Sequence, residues 1–383
     1  MAYKAFQDFY LEESIKHLLL TEYNGCLVSP PFATEKCKDY NQIMIIGNDV
    51  SFIDLDLPPA TSKFNAYTVI GDSLWLIPYG IWDNFNVVVQ LKDFKPIYHY
   101  IDKPGKGQFY NVASNGETAF SFPLGYEDTS FGIFIRDQQV HTVEFEKQSQ
   151  TKLHMGCVYA NGKYWSAPRG DEPGYVNMMS FDGEQLKSYP INLPNPNITR
   201  KYTDIIVKGN TLYAMPFGEQ PGLMEVIEFD TVSENYKLHK LNMPDVAKKF
   251  NCMVEVDEYI IGLPYGTKGD TNSRWGISFN TTTNDSACFD LGEDFADGGK
   301  YRFRCGVNFN NNAVFFPAGT PDCPIVKVSK DLTITTKHIE GVMFGRPIVH
   351  DNKLKVLGYD MRDATNSLYE FDESLNYSKT FLR

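Results

Sequence analysis

Carboxylates and aromatic rings recur shortly after a repeated Pro-x-Gly phrase, and their types suit ligand binding. In nearly every copy an acid stands two to five residues past the Gly, with aromatic and basic residues among them. The set comprises Trp82, Asp83, Tyr126, Glu127, Asp128, Arg169, Asp171, Glu172, Glu219, Asp270, Arg274, Trp275, Asp322, Arg362 and Asp363. Acids beside aromatic platforms suit a basic peptide, a protein partner or a sugar stacked on an indole ring. Asp and Glu are also ordinary turn and solubility residues, and that interpretation stays open.

A second set of polar residues precedes each Pro of the phrase. Fourteen residues before the Pro stands a near-constant aromatic residue, with His154 in that register, and the next two positions change character between copies. We place this set at a central channel: Tyr110, Asn111, His154, Asp204, Asn251, Arg304 and Arg346. Asp204, Arg304 and Arg346 would form a mixed-charge group there, either to bind an asymmetric ligand or to pair with one another. For His154, a satisfied structural histidine competes with a ligand or base.

Signatures of catalysis and of metal binding are missing from the sequence. The patterns H-E-x-x-H, G-x-S-x-G, the P-loop and G-x-G-x-x-G do not occur. The seven cysteines are scattered, and no C-x-x-C or Cys/His cluster suggests zinc. Cys252 and Cys305 share a register in adjacent units, yet nothing supports a nucleophilic pair there. The sequence therefore assigns no catalytic residue, no metal and no cofactor.

The elements that position these residues come from an internal repeat. A turn pair, a few β-favouring residues and Pro-x-Gly recur, as in GDSLWLIPYG (71–80), NGKYWSAPRG (161–170), GNTLYAMPFG (209–218) and DEYIIGLPYG (257–266). The anchors are Pro31, Pro78, Pro123, Pro168, Pro216, Pro264, Pro317 and Gly358, spaced 41 to 53 residues apart. Eight such units fill the chain, which argues for one domain of repeated supersecondary units.

Each unit reads as four short strands. Alternating runs such as FNAYTVI (64–70) precede the turn pair, and runs such as EVIEFDT (225–231) follow the loop. Four strands per unit at this period predict an all-β chain folded as a single β-propeller of antiparallel blades. We expect eight blades, with seven as the alternative because the first unit is irregular. The predicted blades span residues 1–60, 61–105, 106–150, 151–197, 198–245, 246–297, 298–340 and 341–383.

The unit LHMGCVYANGKYWSAPRG followed by VNMMSFDG resembles the kelch/WD40-like propeller repeats that read NG-K-x-Y-x-x-P. This unit lacks the Gly-Gly pair of kelch repeats and the Gly-His and Trp-Asp pairs of WD40 repeats. This resemblance covers all eight units as a pattern and implies a fold without a specific activity. No catalytic residue can be carried over from it.

The charge composition of the chain disfavours two classes of binding partner. The 383 residues carry 48 acids against 36 bases, a net charge of -12, which disfavours nucleic acid and anionic lipid. No apolar run reaches the length of a membrane span. The first twenty residues lack the features of a secretory signal, so we expect a cytoplasmic protein, or a virion component if the chain is phage-encoded.

These observations leave three functional hypotheses. The first is a non-catalytic binding or scaffold propeller that engages a protein or glycan through acidic, aromatic-containing loops on one face. The second is a lactonase- or glycosidase-like hydrolase or a lyase, with its site at the mouth of the channel. The third is a virus- or phage-encoded structural or host-interaction protein.

Overall fold

Eight blades account for the architecture, seven with four strands and the last with five because its inner strand is interrupted, which confirms the all-β, eight-bladed prediction over the seven-bladed alternative. The computed structural model describes residues 13–80, 83–103, 108–124, 130–145, 153–171, 173–266, 274–295, 303–317 and 323–382. All strand pairs are antiparallel, and each blade is built from strands consecutive in sequence. The first strands of neighbouring blades contact one another, so they form the inner wall of the ring.

The strands of the first four blades are β1 (Thr21–Tyr23), β2 (Cys26–Ser29), β3 (Gln42–Ile46) and β4 (Val50–Asp54); β5 (Phe64–Ile70), β6 (Ser73–Pro78), β7 (Val87–Lys92) and β8 (Lys95–Tyr100); β9 (Ala113–Ser114), β10 (Ala119–Ser121), β11 (Phe131–Arg136) and β12 (Gln139–Glu144); β13 (Val158–Ala160), β14 (Lys163–Ser166), β15 (Asn177–Phe181) and β16 (Leu186–Pro190). A short 3-10 helix, Glu35–Cys37, lies in the first blade.

The strands of the last four blades are β17 (Ile206–Lys208), β18 (Thr211–Ala214), β19 (Glu225–Asp230) and β20 (Asn235–Lys240); β21 (Phe250–Val256), β22 (Tyr259–Pro264), β23 (Trp275–Asn280) and β24 (Ser286–Asp290); β25 (Phe303–Phe309), β26 (Asn312–Pro317), β27 (Ile325–Ser329) and β28 (Ile334–Lys337); β29 (Val342–Phe344), β30 (Ile348–His350), β31 (Lys353–Asp360), β32 (Thr365–Phe371) and β33 (Tyr377–Phe381). A second 3-10 helix, Glu293–Phe295, follows β24.

The hydrophobic core lies between blades. Clusters of buried side chains each draw on two neighbouring blades, including the last and first blades, where Leu357 and Leu368 pack with Leu20 and Leu27. The near-constant aromatic register is buried in all eight units, from Phe64 and Phe109 at 0% exposure to Phe344 and His17 at 3%. Because each blade has no core of its own, the blades stabilise one another only as a ring.

A ladder of backbone hydrogen bonds also joins the blades. Phe32, Tyr79, Arg169 and Phe217, which each follow an anchor Pro, accept an N–H from the residue that precedes the next blade's buried aromatic, and each donates its own N–H within its blade. Leu124 and Tyr265 also donate within their blades. The N···O distances lie between 2.7 and 2.9 Å. The bonds run from Phe32 to Lys16, Lys63 to Phe32, Tyr79 to Lys63, Gln108 to Tyr79, Leu124 to Gln108, Arg169 to Leu153, Lys201 to Arg169, Phe217 to Lys201, Lys249 to Phe217 and Tyr265 to Lys249, donor first.

The Gly of Pro-x-Gly is explained by this ladder. Gly80, Gly170 and Gly218 have φ of 53°, 55° and 62°, and Gly170 and Gly218 accept N–H groups from the next blade through their carbonyls. The left-handed conformation turns the chain after the strand while presenting that carbonyl, and glycine adopts it without the strain of a Cβ. Ala33 holds the same place in the first blade with φ 58°.

We predict that Gly80→Ala destabilises the propeller more than Gly25→Ala does. A Cβ on Gly80 would lie 2.5 Å from Phe85 Cβ and 3.0 Å from the Asp83 carbonyl, whereas Gly25, with φ 73°, has open space around it. Gly25→Ala should cost about 1–2 kcal/mol from conformation alone, and Gly80→Ala about 2–4 kcal/mol. Urea unfolding measures both free energies. Equal losses in the two variants would contradict the steric constraint assigned to Gly80.

Candidate functional site

The channel has a narrow mouth on the face that carries the Pro-x-Gly loops. The beginnings of the inner strands reach this face because Phe64 pairs with Pro78 and Phe303 with Pro317. A cavity of about 70 Å³ opens there. The narrow mouth is lined by Leu18, Leu19, Phe32, Asn65, Tyr110, Arg304, Cys305, Phe344, Gly345 and Arg346. The structure thus brings together three of the predicted channel residues, Tyr110, Arg304 and Arg346.

β-bulges position two polar side chains of the mouth. The strand register shifts between Phe64 and Ala66 and again between Phe303 and Cys305, so Asn65 and Arg304 are the extra residues of their strands. A β-bulge changes the direction of the side chain on its extra residue. Both of these side chains line the cavity.

Tyr110 connects these two bulged residues. Asn65 Nδ2 donates to the Tyr110 carbonyl at 2.9 Å, and Arg304 Nε donates to the Tyr110 hydroxyl at 2.9 Å. The ring of Tyr110 packs edge-on against Tyr79 at 5.8 Å between centroids. These bonds fix the Arg304 guanidinium at the mouth although Tyr110 and Arg304 are 194 residues apart in sequence.

Arg346 is placed by the segment that precedes the first blade. A Cβ on Gly345 would lie 1.7 Å from the Leu18 carbonyl oxygen, so only glycine allows this approach. The Arg346 N–H donates to the same carbonyl at 3.3 Å. The charge of Arg346 acts on Tyr67, whose pKa is raised by burial and partly lowered again by this guanidinium. Sequence reasoning did not include Leu18 in the site.

Asp204 supplies a carboxylate close to Arg346. Its Oδ1 accepts the Ile205 N–H at 2.9 Å. Burial raises the pKa of Asp204 to about 6, and Arg346 acts in the opposite direction. Asn111 is the equivalent residue in the third blade, and its Oδ1 accepts the Val112 N–H at 2.9 Å. The main-chain carbonyl of Asn251 accepts a hydrogen bond from Thr203 Oγ1 at 3.2 Å.

His154 lies in the core, away from the cavity. It is 1% exposed, with Nδ1 3.2 Å from Ser166 Oγ and Nε2 2.8 Å from the Tyr175 hydroxyl. His17 has the same surroundings in the first blade, where Ser29 and Tyr40 lie 3.1 and 2.9 Å away. Burial lowers the pKa of His154 to about 3 and that of His17 to about 4, so both are neutral core residues.

The described loop acids of the fourth and fifth blades are engaged within the chain. Asp171 pairs with Arg169 at 2.7 Å and with Arg200 at 3.2 Å, and Glu219 pairs with Arg200 and Lys248, both at 3.1 Å. Sequence reasoning missed Arg200 and Lys248. Their position in the repeat could have identified them, because each stands two residues before the near-constant aromatic residue of its unit, Tyr202 or Phe250.

The other described loop residues also have internal partners. Asp83 accepts the Thr61 N–H at 2.8 Å, and Arg362 forms a two-pronged contact with Asp360. Asp363 accepts the Thr365 N–H at 3.2 Å. Arg274 pairs with Asp290 at 3.1 Å and covers the ring of Trp275 at 5.5 Å. Trp82, Tyr126, Glu127, Asp128, Glu172, Asp270 and Asp322 lie outside the described residues.

The opposite end of the channel is wider, about 720 Å³, and sequence reasoning missed it. Aliphatic side chains of the inner strands line it together with Glu255, Asp257, Asn308 and Asn311. Glu255 and Asp257 have cationic partners, Lys208 at 3.6 Å and Lys330 at 3.3 Å. Residues of the turn pairs, such as Asp257 and Asn311, contribute to this lining. From the sequence we assigned the turn pairs only a structural role. Across the described ranges, no three His, Cys, Asp or Glu side chains could hold a metal ion together.

Solved structures show the same fold at very low sequence identity. No protein-family model matches the chain, and no curated protein does. BamB from Moraxella catarrhalis has a TM-score of 0.55 at 9% identity, over 97% of this chain and 95% of its own. The computationally designed Ika8 protein has a TM-score of 0.58 at 8% identity, over 97% and 98%.

An enzyme is also among these structural neighbours. A catalytically inactive histidine-to-alanine variant of virginiamycin B lyase from Staphylococcus aureus, solved with quinupristin, has a TM-score of 0.55 at 12% identity, over 86% of this chain and 98% of its own. Identities of this order show the propeller fold and do not identify a kelch-type repeat or an activity.

We predict that His154 makes the protein acid-sensitive. A histidine with a folded pKa of about 3 and an unfolded pKa of 6.5 stabilises the fold fully above pH 6.5, and this contribution is lost as pH falls towards 3. The slope is at most about 1.4 kcal/mol per pH unit. His154→Phe should flatten the dependence of the unfolding free energy between pH 6.5 and 4.5. The control His141→Phe, on an exposed strand position, should not. A slope unchanged in His154→Phe would refute this assignment.

We also predict that Cys252 and Cys305 are poor nucleophiles. Burial raises the pKa of Cys305 to about 11 and that of Cys252 well above its usual range. At pH 8 both thiols stay protonated, so iodoacetamide should label them at least about tenfold more slowly than in urea-unfolded protein. Peptide mass spectrometry measures the rates. Labelling of Cys305 at its unfolded rate would contradict this prediction.

Proposed function

We propose that this protein is a non-catalytic binding propeller that engages a protein partner through the face carrying the Pro-x-Gly loops, with the narrow mouth receiving a projecting group of that partner. The size of the mouth carries this proposal. A cavity of about 70 Å³ admits a chain end or one small side-chain group, whereas small-molecule sites usually measure roughly 300–1,000 Å³.

The positions of the histidines also favour binding over catalysis. All seven histidines lie in the part of the chain that the structure describes, and none lines either end of the channel. His17 and His154 are buried, so neither can exchange a proton with a bound substrate. A general base must reach the proton that it abstracts.

The aromatic residues favour a protein partner over a glycan. Of the three tryptophans that the structure describes, Trp75 and Trp165 are fully buried. Trp275 is half-buried, and the guanidinium of Arg274 lies over its ring. A sugar-stacking platform needs an open ring face, whereas a covered Trp–Arg pair is typical of the composition of protein interfaces.

A lyase or hydrolase at the mouth is the second candidate, and Asp204 is the observation that favours it. A carboxyl group with a pKa raised to about 6 can exchange a proton near neutral pH, and Arg346 lies close enough to act on it. This candidate requires the mouth to widen, because the cavity holds only a few atoms of a substrate.

The two candidates are separated by capture from a cell extract with immobilised protein. We expect one protein to be retained by the wild type and lost from the double variant Arg304→Gln, Arg346→Gln. It should still bind Lys208→Gln, an equivalent charge removal at the wide end. Retention by the double variant would overturn the proposal. Loss of a measured turnover in Asp204→Asn, without loss of the partner, would favour the enzyme.

A further inference from the structure

The wide end of the channel is large enough for a small organic molecule, whereas the narrow mouth is not. Its volume of about 720 Å³ falls within the range of roughly 300–1,000 Å³ that is usual for small-molecule sites. The turns that join the first two strands of each blade lie at this end. All eight turns are described, and together they carry five acids and no base. The acids are Asp72, Glu117, Asp257, Glu258 and Asp351. A cavity whose surroundings carry one sign of charge attracts ligands of the opposite sign.

The wall of this cavity is aliphatic. Val158, Ile206, Val207 and Val307 line it from the inner strands of the fourth, fifth and seventh blades, and each is only half-buried. These residues precede the turns of their blades in the chain, so they lie deeper in the channel than the turn residues do. Covering this apolar surface removes it from water and favours binding of a ligand with an apolar body.

The rim of the cavity carries more negative than positive charge. Among the described residues that line it, only Glu255 and Asp257 are charged, and their side chains are 39% and 43% exposed. Lys208 lies 3.6 Å from Glu255, and Lys330 is shared between Asp257 at 3.3 Å and Glu258 at 3.0 Å. Three carboxylates therefore face two ammonium groups at this rim, which leaves one negative charge for a ligand to neutralise.

Neutral polar groups of the lining are also available to a ligand. The Tyr159 hydroxyl and the Asn311 side-chain amide form no hydrogen bond within the described part of the chain. The ring of Tyr159 packs against that of Tyr164 at 5.0 Å between centroids, which holds it in place. Hydroxyl and amide oxygens accept hydrogen bonds, so both groups suit an N–H donor.

From this arrangement we propose that the wide end of the channel binds a small amphipathic amine, a molecule with one protonated amino group and an apolar body. The ammonium group lies at the rim beside Glu255 and Asp257, and the apolar body covers the aliphatic wall. An anion is repelled by the rim, and a neutral apolar molecule leaves the excess charge unpaired. This site lies at the opposite end of the channel from the narrow mouth and does not depend on the protein partner proposed for that face.

Four probes test the charge, the apolar body and the source of the amine by isothermal titration calorimetry on the whole chain. 4-Phenylbutylamine carries both features of the proposed ligand. 4-Phenylbutan-1-ol has the same shape without the charge, and n-butylamine has the charge without the ring. N-acetyl-lysine methylamide represents the lysine side chain of a protein, the other source of a primary ammonium group.

We expect 4-phenylbutylamine to bind at least about tenfold more tightly than 4-phenylbutan-1-ol, because a charge-assisted contact is stronger than a neutral one. n-Butylamine should also bind at least about tenfold more weakly than 4-phenylbutylamine, since it leaves the aliphatic wall uncovered. N-acetyl-lysine methylamide should be weaker for the same reason. Added salt should weaken binding of the amine and leave that of the alcohol unchanged.

Variants at the rim locate the site. The double variant Glu255→Gln, Asp257→Asn should weaken binding of 4-phenylbutylamine about three- to tenfold, a modest factor because both carboxylates are part-exposed. Lys208→Gln removes the ammonium group that competes for Glu255 and should tighten binding about two- to fivefold. A gain in affinity cannot come from a folding defect. The control Glu373→Gln, which removes an exposed charge in the outer turn of the last blade, should change nothing.

Three results would overturn the proposal. Equal affinities for 4-phenylbutylamine and 4-phenylbutan-1-ol would refute the selectivity for a cation, and binding of neither would refute the site itself. Tighter binding of N-acetyl-lysine methylamide than of 4-phenylbutylamine would replace the small molecule by a lysine of a protein partner. Unchanged affinity in both the double variant and Lys208→Gln would place the bound amine away from this rim.

Discussion

The structure depends on one interaction, the ladder of backbone hydrogen bonds that joins the first blade to the second, the second to the third, the fourth to the fifth and the fifth to the sixth. In every link the residue after an anchor Pro bonds the residue before the buried aromatic of the inner strand, at 2.7 to 2.9 Å. Because main-chain groups make the bonds, the side chains at these positions can vary, from Lys63 and Lys201 to Gln108 and Leu153. The Pro-x-Gly phrase recurs in the sequence because its turn presents backbone carbonyls to N–H groups of the neighbouring blade.

The ladder lies at the narrow end of the channel. It ties neighbouring blades together where their inner strands begin, and bulges there direct Asn65 and Arg304 inward. At the wide end the turn pairs surround a volume of about 720 Å³. One disc therefore has a tight, charged mouth and a broad end, and the proposal of a protein partner concentrates on the mouth.

Sequence reasoning predicted features that recur in all eight units, such as the blades. It was less effective for the role of a residue that occurs in one unit only. It predicted the eight blades and placed Tyr110, Arg304 and Arg346 in the channel set. The aromatic register alone could not place His154, because a histidine suits either a core or a site. The tertiary structure places the Ser166 and Tyr175 hydroxyls beside its two ring nitrogens, and these contacts explain its burial as a neutral residue.

By itself the sequence determined the fold, because periodic turn pairs, alternating strands and Pro-x-Gly phrases are local signals repeated at an even spacing. The tertiary structure decided what the charges do. Asp171 and Glu219 meet Arg200 in ion pairs, whereas Arg304 and Arg346 line the narrow mouth together with Tyr110. Such pairings join residues up to 194 positions apart, and ring closure brings them together. No local pattern encodes that proximity.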